Sequence, residues 1–260
     1  MLQQKVAIVT GSTSGIGLGI ARGFAAQGAD IVINGFGQGD EIEFLRAETE
    51  RRYGVRVRFH GADMSRPEQV RALAQYAQDE LGRVDIVVNN AGIQHVAPVE
   101  TFDEAKWDAI LAINLSSAFH LVKAVIPGMK ARGFGRLIHI ASAHGLTASP
   151  FKSAYVAAKH GMLGLSKTLA LELAEHGITS NTICPGYVKT PLVDKQIADQ
   201  AKAHGISPEQ VVRDVMLSHQ ARKEFVQVDE LAALAVFLAS DAAASMTGAA
   251  LAMDGGWTLH

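Results

Sequence analysis

Seven apolar runs of strand length alternate with longer stretches of helical periodicity along nearly the whole chain. The runs are KVAIVTG (5–11), DIVING (30–35), VRVRFHGAD (55–63), VDIVVNNAG (84–92), GRLIHIAS (135–142), TSNTICPG (179–186) and AALAMDGG (249–256). Most place apolar residues at consecutive positions, so both faces of each strand need cover, as in a parallel sheet. Periodic stretches at 15–27, 40–52, 67–81, 103–131, 151–175 and 229–239 have the length of crossover helices, and a further helix is expected at 207–220. Right-handed crossovers then lead to a doubly wound α/β fold, a seven-stranded parallel sheet with helices on both faces. A hydrophobic fraction of 48% over 260 residues can supply that two-sided core, and no linker-like composition divides the chain. A single domain spanning 1–260 is expected. Residues 188–225 break the rhythm: polar side chains, Pro191, Gly205 and Pro208 follow a strand end, as in a substrate lid.

Other patterns narrow the function. The formal charge is -2 and Lys and Arg are scattered, which argues against a nucleic-acid partner. The ten histidines are dispersed without HExxH or clustered ligand spacing, so no metal site is expected. The sole cysteine, Cys184, cannot form an internal disulfide and reads as part of a buried strand end. MLQQKVAIVTG enters the first strand without a signal-peptide core, and no uninterrupted apolar run reaches membrane-spanning length. A cytoplasmic chain with no membrane partner is expected.

TGSTSGIGLG joins the first strand to its helix, with Gly11, Gly15 and Gly17 in G-x-x-x-G-x-G spacing. Glycine at such a junction lets backbone approach a pyrophosphate, and the helix N-terminus adds unpaired N–H groups and partial positive charge. A tight turn with no ligand would use the same residues. The second strand ends in Asn34-Gly35-Phe36, where dinucleotide folds usually carry an acidic residue for the adenine ribose. Asn34 could serve a ribose hydroxyl without the charge. No Lys or Arg lies at 12–17 or 34–39 to meet a 2′-phosphate, so NAD is expected over NADP. Asp63, closing the third strand, suits either an adenine amino group or a loop cap. In NNAG (89–92), small residues suit a close cofactor approach, and Asn89 would tie neighbouring strand ends together. An Asn-rich structural turn accounts for Asn89 and Asn90 equally well. After Pro185-Gly186, Thr190 could hold a carboxamide.

Tyr155 and Lys159 lie four apart on a predicted helix and so share a face. An adjacent ammonium favours phenolate, which would let a tyrosine take the proton of a secondary alcohol near neutrality. An ordinary amphipathic helix would show the same spacing. Ser142 ends the fifth strand, and in parallel sheets such ends face the ligand crevice, where its hydroxyl could hold a reacting oxygen. Asn114 in LAINLS is a polar residue among apolar neighbours; a water between it and Lys159 would give a proton route, and a helix-packing amide is the plainer alternative.

Taken together, TGSTSGIG, NNAG, Asn114, Ser142, Tyr155-x-x-x-Lys159 and the Pro-Gly element resemble, in order and spacing, the short-chain dehydrogenase/reductase family over essentially the whole chain. The resemblance implies a Rossmann-like fold, Tyr155 as acid/base, Lys159 as its acidifier and ribose ligand, Ser142 as substrate-orienting and Asn114 as holder of a relay water. It further implies cofactor contacts from Gly11, Thr13, Ser14, Gly15, Ile16, Gly17, Asn34, Phe36, Asp63, Met64, Asn90, Ala91, Gly92, Pro185, Gly186, Val188 and Thr190, and a homotetramer.

The substrate is expected from the residues between these motifs. Gln94, His144, Lys152 and Gln196 would, if one crevice gathers them, make a donor-rich pocket for a small carboxylate, since a desolvated charge must be paired. Each could equally be surface decoration. NNAGIQH, IASAHGL, KSAYVAAKHG, TPLVDKQI and DGGWT resemble segments of bacterial family members that oxidise (R)-3-hydroxybutyrate to acetoacetate, which implies carboxylate contacts from these four residues and a site role for Trp257. Tyr187 departs from that resemblance, since related enzymes often carry Trp there. Rival expectations are a 3-oxoacyl-thioester reductase, a dehydrogenase of another small hydroxy acid, and a nonenzymatic dinucleotide-binding regulator or scaffold.

Overall fold

The computed structural model describes residues 1–190, 193–194, 197–198, 201–202 and 205–259. Seven parallel strands, β1 (Val6–Val9), β2 (Asp30–Asn34), β3 (Val57–His60), β4 (Ile86–Asn89), β5 (Gly135–Ile140), β6 (Ile178–Pro185) and β7 (Ala250–Met253), form one sheet in the order β3-β2-β1-β4-β5-β6-β7. Order reverses between β1 and β4, so a crevice opens at their carboxyl ends. Except for β6, the observed strands are shorter than the apolar runs, because residues such as Gly61 to Asp63 and Ala91 to Gly92 already lie beyond the sheet.

Helices α1 (Gly15–Ala26), α2 (Gly39–Tyr53), α3 (Pro67–Leu81), α4 (Glu104–Leu111), α5 (Ser117–Arg132), α6 (Ser153–Leu173) and α7 (Val228–Ala239) cover the two faces. One apolar layer joins Ile20 and Phe24 of α1 with Leu231 and Ala235 of α7 against β1 and β2. The other joins Leu73 and Ala77 of α3 with Leu121 and Val125 of α5. Small residues set the α1–α7 spacing: a Cβ on Gly19 would lie 2.0 Å from Val228 Cγ1.

Two expected helices differ in detail. The stretch expected as one helix at 103–131 runs Glu104–Arg132 but is interrupted by a π turn, Ala112–Ser116, centred on Asn114. An 18-residue window of that stretch has mean hydropathy 1.7, so by length and composition alone it passes for a membrane span. Here its buried residues, Leu121, Val122 and Met129 among them, pack on the sheet. The helix expected at 207–220 is one turn, Pro208–Gln210, capped by Ser207, followed by a π segment, Val211–Met216.

Candidate active site

The glycine turn after β1 opens into the crevice. Gly11 and Gly15 have φ +61° and +55°, which side chains disfavour, and a Cβ on Gly17 would lie 2.3 Å from the Gly11 carbonyl oxygen. That contact seats α1 tightly on its strand. Ser14, at the N-cap of α1, makes no side-chain capping bond, so the first amides of the helix keep their donors for an anion. Among the described residues, the only near neighbour of a Cβ on Gly15 would be Thr190 Cγ2, at 3.9 Å. The turn therefore has the open cradle and the donors that a dinucleotide pyrophosphate needs.

Next to this cradle, the carboxyl ends of β4, β5 and β6 assemble the reacting groups. Ser142 follows β5 in extended conformation and its hydroxyl oxygen accepts from the His144 amide at 3.1 Å. The turn Ala143–Gly145 then lies directly on α6, where a Cβ on Gly145 would meet Lys159 O at 3.0 Å. This contact brings Ser142 beside Tyr155 and Lys159. Lys159 is buried, donates to the Ile140 carbonyl at 2.8 Å, and has its Nζ 5.5 Å from the centre of the Tyr155 ring. Burial pushes the Lys159 ammonium down to about 8, and the nearby Cys184 sulfur pulls it back up.

Asn114 clamps the opposite wall. Its Oδ1 accepts from the Ile93 amide and its Nδ2 donates to the Ile93 carbonyl, both at 2.8 Å. A Cβ on Gly92 would lie 3.4 Å from Asn114 Oδ1 and 3.7 Å from Lys159 Nζ. The π turn that carries Asn114 also receives α6, since Gly161 lets Leu115 approach. π turns of this kind recur where a helix must re-aim a side chain.

Two adjoining cavities share Tyr155, Ser142, Gly186 and Ile16. One, about 620 Å³, reaches Asn90, Gly92 and Lys159. The other, about 590 Å³, holds Gln94, His144, Lys152, Tyr187, Met216 and Trp257. Lys152 is partly buried, and burial lowers its pKa. His144 packs on Trp257, ring centres 4.9 Å apart, and edge-on to Tyr155 at 5.9 Å. Its Nε2 meets Ser149 Oγ at 2.8 Å and its Nδ1 meets Ser142 Oγ at 3.4 Å. Burial, aided by Lys152 and His160, lowers its pKa to about 4, so the imidazole is neutral at pH 7. A larger hollow, about 730 Å³, lies between α1 and α7, but it gathers none of these groups.

Residues 11–258 match the family model described as enoyl-(acyl carrier protein) reductase. A D-beta-hydroxybutyrate dehydrogenase from Rhizobium meliloti (strain 1021) is 56% identical over 254 residues, covering 98% of each chain. One from Cupriavidus necator is 55% identical over 257 residues, covering 99% of each. The chain belongs to the short-chain dehydrogenase/reductase family. A crystal structure of a candidate short-chain alcohol dehydrogenase from Sinorhizobium meliloti 1021 superposes with a TM-score of 0.88 at 32% identity, covering 99% of this chain and 98% of that one. The doubly wound single-domain fold is that of the family, and it brings a nicotinamide dinucleotide as cofactor.

The short-chain dehydrogenase site gathers most of the residues singled out in the sequence, with corrections. Asn34 has no free amide for a ribose: Nδ2 donates to His60 and Ala62 carbonyls, and Oδ1 accepts from the Gly11 amide. Met64 sends its side chain into the apolar layer with Val70 and Leu73, leaving only its backbone near the crevice. Asn90 spends Nδ2 on the Thr10 and Gly11 carbonyls, so it braces the glycine turn. Asp63 caps its own loop through Ser65, whose amide and hydroxyl donate to Oδ1 and lower its pKa. Thr13 donates to the Phe36 carbonyl, and the Phe36 ring is exposed. At Tyr155 burial raises the phenol pKa, and a hydrogen bond from Ser142 partly offsets it. Gln196 lies outside the described residues.

Sequence reasoning missed Ser149, Ile93 and Met216. Ser149 and Ile93 act through contacts 5 and 21 residues away, which no local pattern announces.

Proposed function

We propose that this chain catalyses the reversible, NAD-dependent oxidation of (R)-3-hydroxybutyrate to acetoacetate. The observation that carries the reading is Lys152: a partly desolvated ammonium in the same cavity as Tyr155 and Ser142 calls for an anionic ligand. Its companions Gln94, neutral His144 and Trp257 leave room for a small carboxylate. The names of the R. meliloti and C. necator relatives point the same way.

NAD would be held by the Gly11–Gly17 turn, by backbone at Ala91 and Gly92, by Lys159, and by Val188 and Thr190 after β6. Bound, it supplies the hydride acceptor at nicotinamide C4. With no cation at 34–39 to receive a 2′-phosphate, the adenosine end favours NAD over NADP. Tyr155 takes the C3 hydroxyl proton while Ser142 holds the same oxygen, and C3 becomes the ketone carbon as its hydride leaves. Lys159, ionised below pH 8, would oppose the upward push of burial on the phenol, and the positive charge of bound NAD would act in the same direction. Asn114 fixes the Ile93 wall on which the relay water would rest. Lys152 and Gln94 hold the carboxylate, so binding remote from C3 orients the reacting carbon. The segment 188–225 serves as lid. A homotetramer is part of this reading, supported by exposed Phe119 on α5 and Leu171 on α6. So is a cytoplasmic location, suited to a buried free thiol at Cys184.

The test is absorbance at 340 nm with NAD or NADP and both enantiomers of 3-hydroxybutyrate, longer 3-hydroxy acids and uncharged secondary alcohols. NAD reduction confined to short R acids, lost in Tyr155→Phe with NAD binding kept, is expected. Preference for NADP with 3-oxoacyl thioesters would replace the reading.

A further inference from the structure

Among the described residues, only Gln4 and Phe151 are non-glycine residues with positive φ, and Phe151, at φ +66°, stands one residue before Lys152. A bulky side chain in the left-handed region is uncommon and needs a cause. Pro150 followed by a left-handed residue is the order of a type II turn, whose third position normally takes glycine. The Phe151 ring is exposed, so packing of the ring does not impose the conformation. Its carbonyl, however, accepts from the Ala97 amide at 3.0 Å. That bond ties the turn before α6 to the segment that carries Ile93 and Gln94. On one side of Phe151, Ser149 holds His144 Nε2; on the other, Lys152 lines the substrate cavity. One strained residue therefore sets the distance between the groups that would grip a carboxylate.

We propose that Phe151 is a positioning residue: its left-handed backbone, latched to Ala97, aims Lys152 and aligns it with Gln94 and His144, and its ring is dispensable. This deepens the carboxylate reading above and rests on it. The backbone and not the side chain carries the role, so the effect of a substitution follows tolerance of positive φ. Glycine and asparagine adopt it readily, whereas a β-branched residue resists it.

The experiment compares Phe151→Gly, Phe151→Asn and Phe151→Val in the full chain, by steady-state kinetics with (R)-3-hydroxybutyrate and NAD. Phe151→Gly and Phe151→Asn are expected to keep the substrate KM within about twofold, and Phe151→Val to raise it about tenfold with the KM for NAD unchanged. A loose or unfolded variant would raise both constants or lose NAD binding, which separates positioning from general damage. Equal loss in Phe151→Gly and Phe151→Val would overturn the proposal by making the ring the working part. An unchanged Phe151→Val would overturn it by making the conformation irrelevant. Turnover of another short hydroxy acid in its place would sink the substrate reading alone, and the same contrast would then be read on that acid's KM. A wild-type chain that turned over no carboxylate would overturn both.

Discussion

Lys159 is placed where it weakens the fold. Its ordinary pKa of 10.5 falls to about 8 because the ammonium is buried, so below pH 8 the folded chain carries a charge it has partly desolvated. At about 1.4 kcal/mol per pKa unit, the shift corresponds to roughly 3 kcal/mol. Between pH 8 and 10.5 the unfolded chain binds a proton that the folded chain does not, so stability rises with pH across that window. The contribution is fully present above 10.5 and lost as pH falls to 8. In Lys159→Met, similar in length and uncharged, this rise is absent. At pH 7 the variant is relieved of roughly 3 kcal/mol but leaves the Ile140 carbonyl without its 2.8 Å donor, a cost of about 1–3 kcal/mol. The net change at pH 7 is thus about 0 to +2 kcal/mol, with turnover abolished. Urea unfolding of both proteins at fixed concentration, at pH 7, 8 and 9.5, measures it. Wild type should gain about 2 kcal/mol on the variant between pH 8 and 9.5. Parallel pH profiles, or a variant weaker at pH 7 by more than about 2 kcal/mol, would refute the argument.

Lys152→Ala should raise KM for 3-hydroxybutyrate by about tenfold to a hundredfold while leaving an uncharged secondary alcohol untouched, by the same 340 nm assay; equal loss on both would mean a structural lysine. Gly17→Ala should lower stability by about 1–3 kcal/mol or more, since its Cβ would lie 2.3 Å from the Gly11 oxygen, and should weaken NADH binding in a fluorescence titration. His139, buried between Asn89 and Ser180, has its pKa lowered to about 4 by burial. The unfolded chain therefore binds more protons between pH 6.5 and 4, and stability falls as pH drops through that window. Thermal unfolding from pH 7 to 4 should show the fall, and a His139→Gln variant that falls just as steeply would contradict it.

Short-range regularities reached far into this molecule. Consecutive apolar positions specify strands buried on both faces, and helix periodicity specifies the cover, so the seven-stranded sheet follows from local pattern. The Gly11–Gly17 spacing and the one-turn offset of Tyr155 and Lys159 are equally local, because a turn and a helix face are set by a few neighbouring residues. Tertiary structure decided where polar atoms find partners. Asn34 faces the Gly11 amide, Asn114 faces Ile93, His144 faces Ser149, and Phe151 is held by Ala97, each through a bond that sequence spacing does not encode. It also decided charge: Tyr155 and Lys159 are shifted first by burial, a property of the packed crevice and not of their four-residue separation. Backbone periodicity is a property of a segment, whereas desolvation and hydrogen-bond satisfaction depend on whatever the fold brings against it.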